Sequence, residues 1–224
     1  MRLKWALILC FAVMSLSASS AVIYGEDAKP ILDNERVTVW DVTWTKGTSI
    51  PAPALAGDWV RVDLLGGSIR TTAAQGASHL EKLKAGDVRF EPRGATRNEE
   101  GVADNHPSRS IVVALKDHPV DPIANNSGYP DAFPRPRVKK RLENDRIVVW
   151  EYTWLPGQPT PMHFHSRDVI VVQLTDGALR STTPDGKSVV LNHTFGLAKF
   201  SPRNRTHFEE LAKGHAHAIM VELK

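Results

Sequence analysis

Two histidines one residue apart, His163 and His165, stand in Pro161-Met162-His163-Phe164-His165, ahead of the β-rich run Val169-Ile170-Val171-Val172. Side chains alternate between the faces of a strand, so both imidazoles point the same way, about 7 Å apart along the backbone. Such a pair can hold a metal ion once a neighbouring strand supplies a third ligand. His207, in Ser201-Pro202-Arg203-Asn204-Arg205-Thr206-His207, is the candidate for that third position. The expected cofactor is a divalent transition metal, one of Fe, Mn, Zn, Ni or Cu, and affinity order alone does not select among them. Three neutral imidazoles bring no negative charge and leave open positions where a small organic substrate and a water or O₂ can bind together. As a Lewis acid the metal could polarise a carbonyl or lower the pKa of a bound water. No side chain stands out as a general acid or base, so the catalytic residues are unassigned.

The elements that must position these histidines belong to an internal duplication. At one constant offset Asn34 falls on Asn144, Arg36 on Arg146, Trp40 on Trp150, Trp44 on Trp154, Gly47 on Gly157 and Gly67 on Gly177. The same offset pairs Gly86, Phe90, Pro92 and Arg93 with Gly196, Phe200, Pro202 and Arg203. Each half is made of short β-rich runs punctuated by Gly, Pro, Asp and Asn, which favours an all-β sandwich or barrel. Only Ala77 to Lys84 reads as helical. Between the halves Pro119, Pro122, Pro130, Pro134 and Pro136 mark a Pro-rich linker, placed at 118–140. The halves then span 22–117 and 141–224.

The second half resembles the cupins. Gly157, His163, His165 and Gly177 sit at the spacings of the first cupin motif, with Ile170 at the glutamate position. Gly196, Pro202 and His207 fit the second motif, with Asn204 in place of its second glycine and Leu211 in place of its asparagine. The resemblance implies a bicupin, two tandem cupin-type jelly-roll barrels. It also implies that the glutamate position points inward, so that Ile170, Val172 and Leu174 line the cavity. Some cupin dioxygenases resemble this three-histidine arrangement, which makes a metal-dependent oxygenase one expected function. A non-catalytic cupin that binds a metal or small ligand is the alternative. Cupins commonly pair, so a homodimer is expected from the resemblance.

The first half serves as an internal control. Where His163, His165 and His207 stand, it has Pro53, Leu55 and Arg97, so all three ligands are absent together and the first barrel is expected to lack a metal. Residues shared by both halves are expected to serve the fold. Asp168 matches Asp58 and reads first as a turn residue bonding backbone amides, and only second as a further ligand. Glu209 matches Glu99 and is weighed the same way. His79, His106, His118 and His193 read as surface residues, and His215 with His217 as a weaker second metal pair.

The amino terminus reads as a secretory signal: Arg2 and Lys4 precede an apolar run from Trp5 to Leu16, too short to span a bilayer, with cleavage expected after Ala21. The chain is therefore expected to be secreted or periplasmic, with no stable membrane insertion once residues 1–21 are removed. Cys10 is the only cysteine and lies in that leader, so thiolate cannot be a ligand or nucleophile in the mature protein. The formal charge of +3 drops further when Arg2 and Lys4 leave. With no basic run interleaved with aromatics, nucleic acid is not an expected partner.

Overall fold

The computed structural model describes residues 30–46, 49–51, 57–102 and 107–224, with the backbone alone at 49–51 and at 97. The leader, Gly47, Pro53, Leu55 and His106 lie outside the described residues, as does the side chain of Arg97. The first half runs β1 (Leu32–Asp33), β2 (Val37–Trp44), β3 (Ser49–Pro51), β4 (Trp59–Leu65) and β5 (Gly67–Ala73). It is completed by β6 (Ser78–Leu83), β7 (Val88–Glu91), β8 (Thr96–Gly101) and β9 (Ser108–Leu115). The second half runs β10 (Lys139–Glu143), β11 (Ile147–Trp154), β12 (His163–His165), β13 (Val169–Gln173) and β14 (Gly177–Thr182). It ends with β15 (Ser188–His193), β16 (Ala198–Ser201), β17 (Arg205–Gly214) and β18 (Ala216–Leu223).

Each half folds into two antiparallel sheets. The first has a five-stranded sheet, β1-β2-β9-β4-β7, and a four-stranded sheet, β3-β8-β5-β6. The second repeats both orders, β10-β11-β18-β13-β16 and β12-β17-β14-β15, so the duplication seen in the residues is a duplication of topology. The chain is all-β, two jelly-roll barrels in tandem.

The five-stranded sheets of the two barrels pack against each other. Val37, Val39, Val60, Val62 and Ile111 of the first form one buried cluster with Ile147, Val149, Ile170, Val172 and Ile219 of the second. These sheets are thus covered on both faces, which is why β4 is buried at six successive positions and β13 begins with the unbroken apolar run Val169 to Val172. Burying a side chain of this size is worth about 1.5–3 kcal/mol, so the barrels stabilise each other. Two ion pairs, related as the halves are, clamp the seam: Arg36 to Asp168 at 2.6 Å and Arg146 to Asp58 at 2.7 Å.

Two expectations are corrected. Ala77 to Lys84 is not helical: Ser78–Leu83 is β6, hydrogen-bonded along its length to β5 across the turn at Gly76. So short a helix has little stability of its own in water, and pairing with a neighbouring strand overrides its propensity. Ile170, Val172 and Leu174 do not line the cavity either. They face the first barrel, while Val169 and Val171 face the interior of the second. A one-residue change in parity moves a whole strand's set of side chains to the other face. The inward positions are still occupied by valine, so the carboxylate is absent on either assignment.

Candidate metal centre

β12 lies beside β17 in antiparallel register, with His163 opposite His207 and His165 opposite Arg205. The three rings pack edge to face, with centroids 4.8 to 5.1 Å apart. Their candidate ligand nitrogens all lie within 4.8 Å of one another. All three residues are buried. Among the described residues this is the cluster of His, Cys, Asp and Glu able to hold a metal ion.

The turn leading into β17 explains the departure from the cupin glycine pattern. Asn204 has φ of 62°, in the left-handed region, and its counterpart Gly94 has φ of 74°. Asn is among the few residues with a side chain that tolerates this conformation, so the turn survives the exchange. Asn204 donates its backbone N–H to the carbonyl of His165 at 2.8 Å, tying the turn to the ligand strand.

Neighbouring groups orient the rings. His163 donates from Nδ1 to the Pro161 carbonyl at 2.7 Å, and Nδ1 of His207 lies 2.8 Å from the Ser181 hydroxyl. With Nδ1 of His163 and of His207 so engaged, Nε2 is the nitrogen each of those rings has left for a ligand role. Nε2 of His165 and Nε2 of His207 are 3.0 Å apart. Two lone pairs that close repel unless a proton or a cation sits between them. Burial holds His163 down at about 4 and His207 at about 3, with the positive charges of Arg135 and Arg205 adding to the effect; His165 is lowered well below its ordinary value by burial and its two neighbours. At neutral pH all three are uncharged imidazoles, the form that binds metal. The donor set therefore fits a divalent transition ion.

Residues from the Pro-rich stretch complete the site. Arg135 donates to Nε2 of His163 at 3.0 Å, a hydrogen bond that a metal on that nitrogen would replace, and its guanidinium lies over the rings of Tyr152 at 4.5 Å and Phe133 at 5.2 Å. Phe133 stacks on Trp150 at 5.2 Å and meets His165 edge-on at 6.1 Å. Phe164, on the opposite face from the histidines, is buried where Pro130 and Ala132 bond its backbone. The sequence reading missed Arg135 and Phe133. Phe133 and Ala132, apolar within a polar stretch, were the available signal.

The cavity beside the histidines is small, about 50 Å³, and Arg135, Arg205 and Glu209 supply its charged groups. Three buried polar atoms there, Arg135 Nε, Trp154 Nε1 and Gln173 Oε1, have no protein hydrogen-bond partner. Asp168 is a turn residue, accepting from the Arg203 backbone N–H at 2.9 Å and from Arg36 across the seam. His193 is not a surface residue: it is buried, with Nε2 3.0 Å from the His215 carbonyl. His217 turns to Glu151, with Nε2 3.0 Å from Oε1, and among the described residues neither it nor His215 joins a group of three or more candidate ligands.

No family profile matches the chain. Over 60 residues, 27% of its length, the chain is 42% identical to the β-alanine degradation protein BauB of Pseudomonas aeruginosa, and it covers 59% of that relative. Among solved structures, a cupin 2 conserved barrel domain protein from Leptotrichia buccalis aligns with TM-score 0.55 at 15% identity, covering 88% of each chain. Protein Ylba from E. coli aligns with TM-score 0.59 at 12% identity over 84% of this chain and 77% of its own. An oxalate decarboxylase variant from Bacillus subtilis aligns with TM-score 0.58 at 11% identity over 85% and 69%. The fold is therefore the cupin-type jelly roll, present here as two barrels in tandem.

Proposed function

We propose that the second barrel binds one divalent transition metal through His163, His165 and His207, and that the centre works as an oxygenase on a small organic substrate. The observation that carries this reading is the convergence of three buried, uncharged imidazoles beside a cavity lined by partnerless polar atoms. Bound there, the metal would supply Lewis-acid or redox chemistry. The Bacillus subtilis oxalate decarboxylase has Mn(II) centres, which keeps manganese among the candidates.

This chain's own residues do the rest. Ser181 and Pro161 hold the rings, and Phe133 with Phe164 keeps water from the ligand strand. Arg135, already at the site, is suited to hold a substrate carboxylate. A cavity of about 50 Å³ has room for a few waters or a ligand of a few heavy atoms, since one water needs about 10–15 Å³ of such space. The partial similarity to a β-alanine degradation protein agrees with a short carboxylate. The apolar walls at Val169, Val171, Leu179 and Met220 support a second reading, a non-catalytic cupin that captures a metal or small ligand. Export through the leader and pairing into a homodimer remain part of the proposal; amino-terminal sequencing and light scattering test them.

The deciding experiment has two stages. Metal content of protein purified without chelators is expected to be one ion per chain, and to vanish in His163→Ala and His207→Ala with circular dichroism unchanged. Oxygen uptake is then followed against a panel of short carboxylic acids and phenols. Metal-loaded protein with no uptake on any of them selects the binding reading over the enzyme.

A further inference from the structure

The duplication creates two matching positions along the inter-barrel seam, and only one is filled. At the first, Arg109 pairs with both oxygens of Asp41 at 2.9 and 2.6 Å, and its guanidinium lies 5.7 Å from the centre of the Phe195 ring. Gly196 is tightly packed there: a Cβ would come within 2.7 Å of Arg109 and 3.0 Å of Leu64. At the second position the matching residues are His217, Glu151 and Ala85 in place of Arg109, Asp41 and Phe195. Arginine has become histidine and phenylalanine has become alanine. The matching Gly86 meets only Leu174, at 3.9 Å, and a cleft of about 230 Å³ opens.

The cleft has an apolar floor of Leu64, Ala85, Leu174 and Phe195, and a polar rim. On the rim Glu151 accepts from Arg141 at 2.7 Å and pairs with Nε2 of His217 at 3.0 Å, while Asp87 lies 3.8 Å from Arg141. With Nε2–H of His217 given to Glu151, its Nδ1 is left as an acceptor. Two carboxylates against one guanidinium make the rim net negative, which disfavours a second carboxylate. A dry cavity of about 150 Å³ is enough for benzene, so this cleft has room for one substituted ring. His217 shares a strand face with Ile219, which packs in the seam, opposite the barrel interior reached by Ala218 and Met220.

We propose that this cleft is a second ligand site, independent of the histidine centre, that binds a single-ring phenol. The ring occupies the place that Phe195 fills on the matching side, and the phenolic O–H donates to His217. The test uses the full chain and phenol itself, by ligand-observed saturation-transfer NMR and calorimetry. Phenol is expected to bind the parent protein and His163→Ala alike, and to bind about tenfold more tightly than benzoate. Ala85→Phe is expected to abolish binding while the thermal midpoint stays level or rises, because the new ring fills existing space. His217→Ala, which leaves the floor intact, is expected to weaken phenol about tenfold through the lost acceptor. Failure of phenol to bind at millimolar concentration, or benzoate binding as tightly, would overturn the proposal. So would undiminished phenol binding in His217→Ala or in folded Ala85→Phe.

Discussion

The two barrel interiors share a topology and differ in how they treat charge. Where the second has Val171, Gln173 and Ser201, the first has Arg61, Asp63 and Glu91. Arg61 is fully buried and reaches Asp63 at 2.9 Å, Glu81 at 2.5 Å and Glu99 at 3.0 Å. Arg89 closes the network onto Glu81 and Glu91. Burial pushes the Glu99 carboxyl up to about 7, with the neighbouring carboxylates of Glu81 and Glu91 adding to the rise and Arg61 opposing it. The first barrel thus carries its own cation, a guanidinium among carboxylates. Among the described residues the second has no such carboxylate-bound guanidinium at its centre and offers the lone pairs of three neutral imidazoles, which can take a cation from outside.

The largest effect that probes this contrast is removal of the internal cation. Arg61→Ala strands the buried carboxylates of Asp63 and Glu99 and the half-buried one of Glu81, and is expected to cost about 3–5 kcal/mol in urea unfolding, with metal content unchanged. Loss of metal in that variant would mean that the barrels are not functionally separate.

The contrast also predicts opposite responses to pH. The folded-state pKa values of His163 and His207 lie below the ordinary 6.5, at about 4 and about 3. The unfolded chain therefore takes up protons first, and metal-stripped protein is expected to lose stability as pH falls from about 6.5 towards those values. Glu99 is displaced the other way, from 4.5 to about 7. The unfolded chain releases that proton first, so Glu99 contributes stability at low pH that is lost as pH rises through about 7. Glu99→Gln is expected to flatten the second trend and leave the first, read from denaturation midpoints across pH. A smaller effect is expected at the seam. Asp168→Asn should cost about 2 kcal/mol by weakening a buried charged bond, and Asp58→Asn less, its partner Arg146 being more exposed. Metal content stays level in both, as it would not if Asp168 were a ligand.

The sequence disclosed those parts of the molecule that depend on local spacing. Strand punctuation and the recurring Trp40/Trp150 and Trp44/Trp154 pairs were enough for two β-barrels, and the His-x-His spacing with His207 identified the residues that the fold brings together. Parity was harder to read. The run Val169-Ile170-Val171-Val172 is apolar on both faces because a second barrel covers its outer side, so periodicity could not say which residues face inward. Arg135 was hidden for another reason: its role depends on where a Pro-rich connector docks, and nothing in its neighbours' spacing encodes that. Arg61 stood in plain view as a charge within an apolar strand, yet its partners Glu81 and Glu99 come from other strands that only the fold assembles.

The most direct test is anomalous diffraction from crystals of the native protein, collected at the absorption edge of whichever transition metal elemental analysis finds. The account predicts one peak per chain within about 2.0–2.2 Å of Nε2 of His163, His165 and His207, and none beside Arg61. A peak elsewhere, or fully occupied metal with any of the three rings turned away from it, would contradict it.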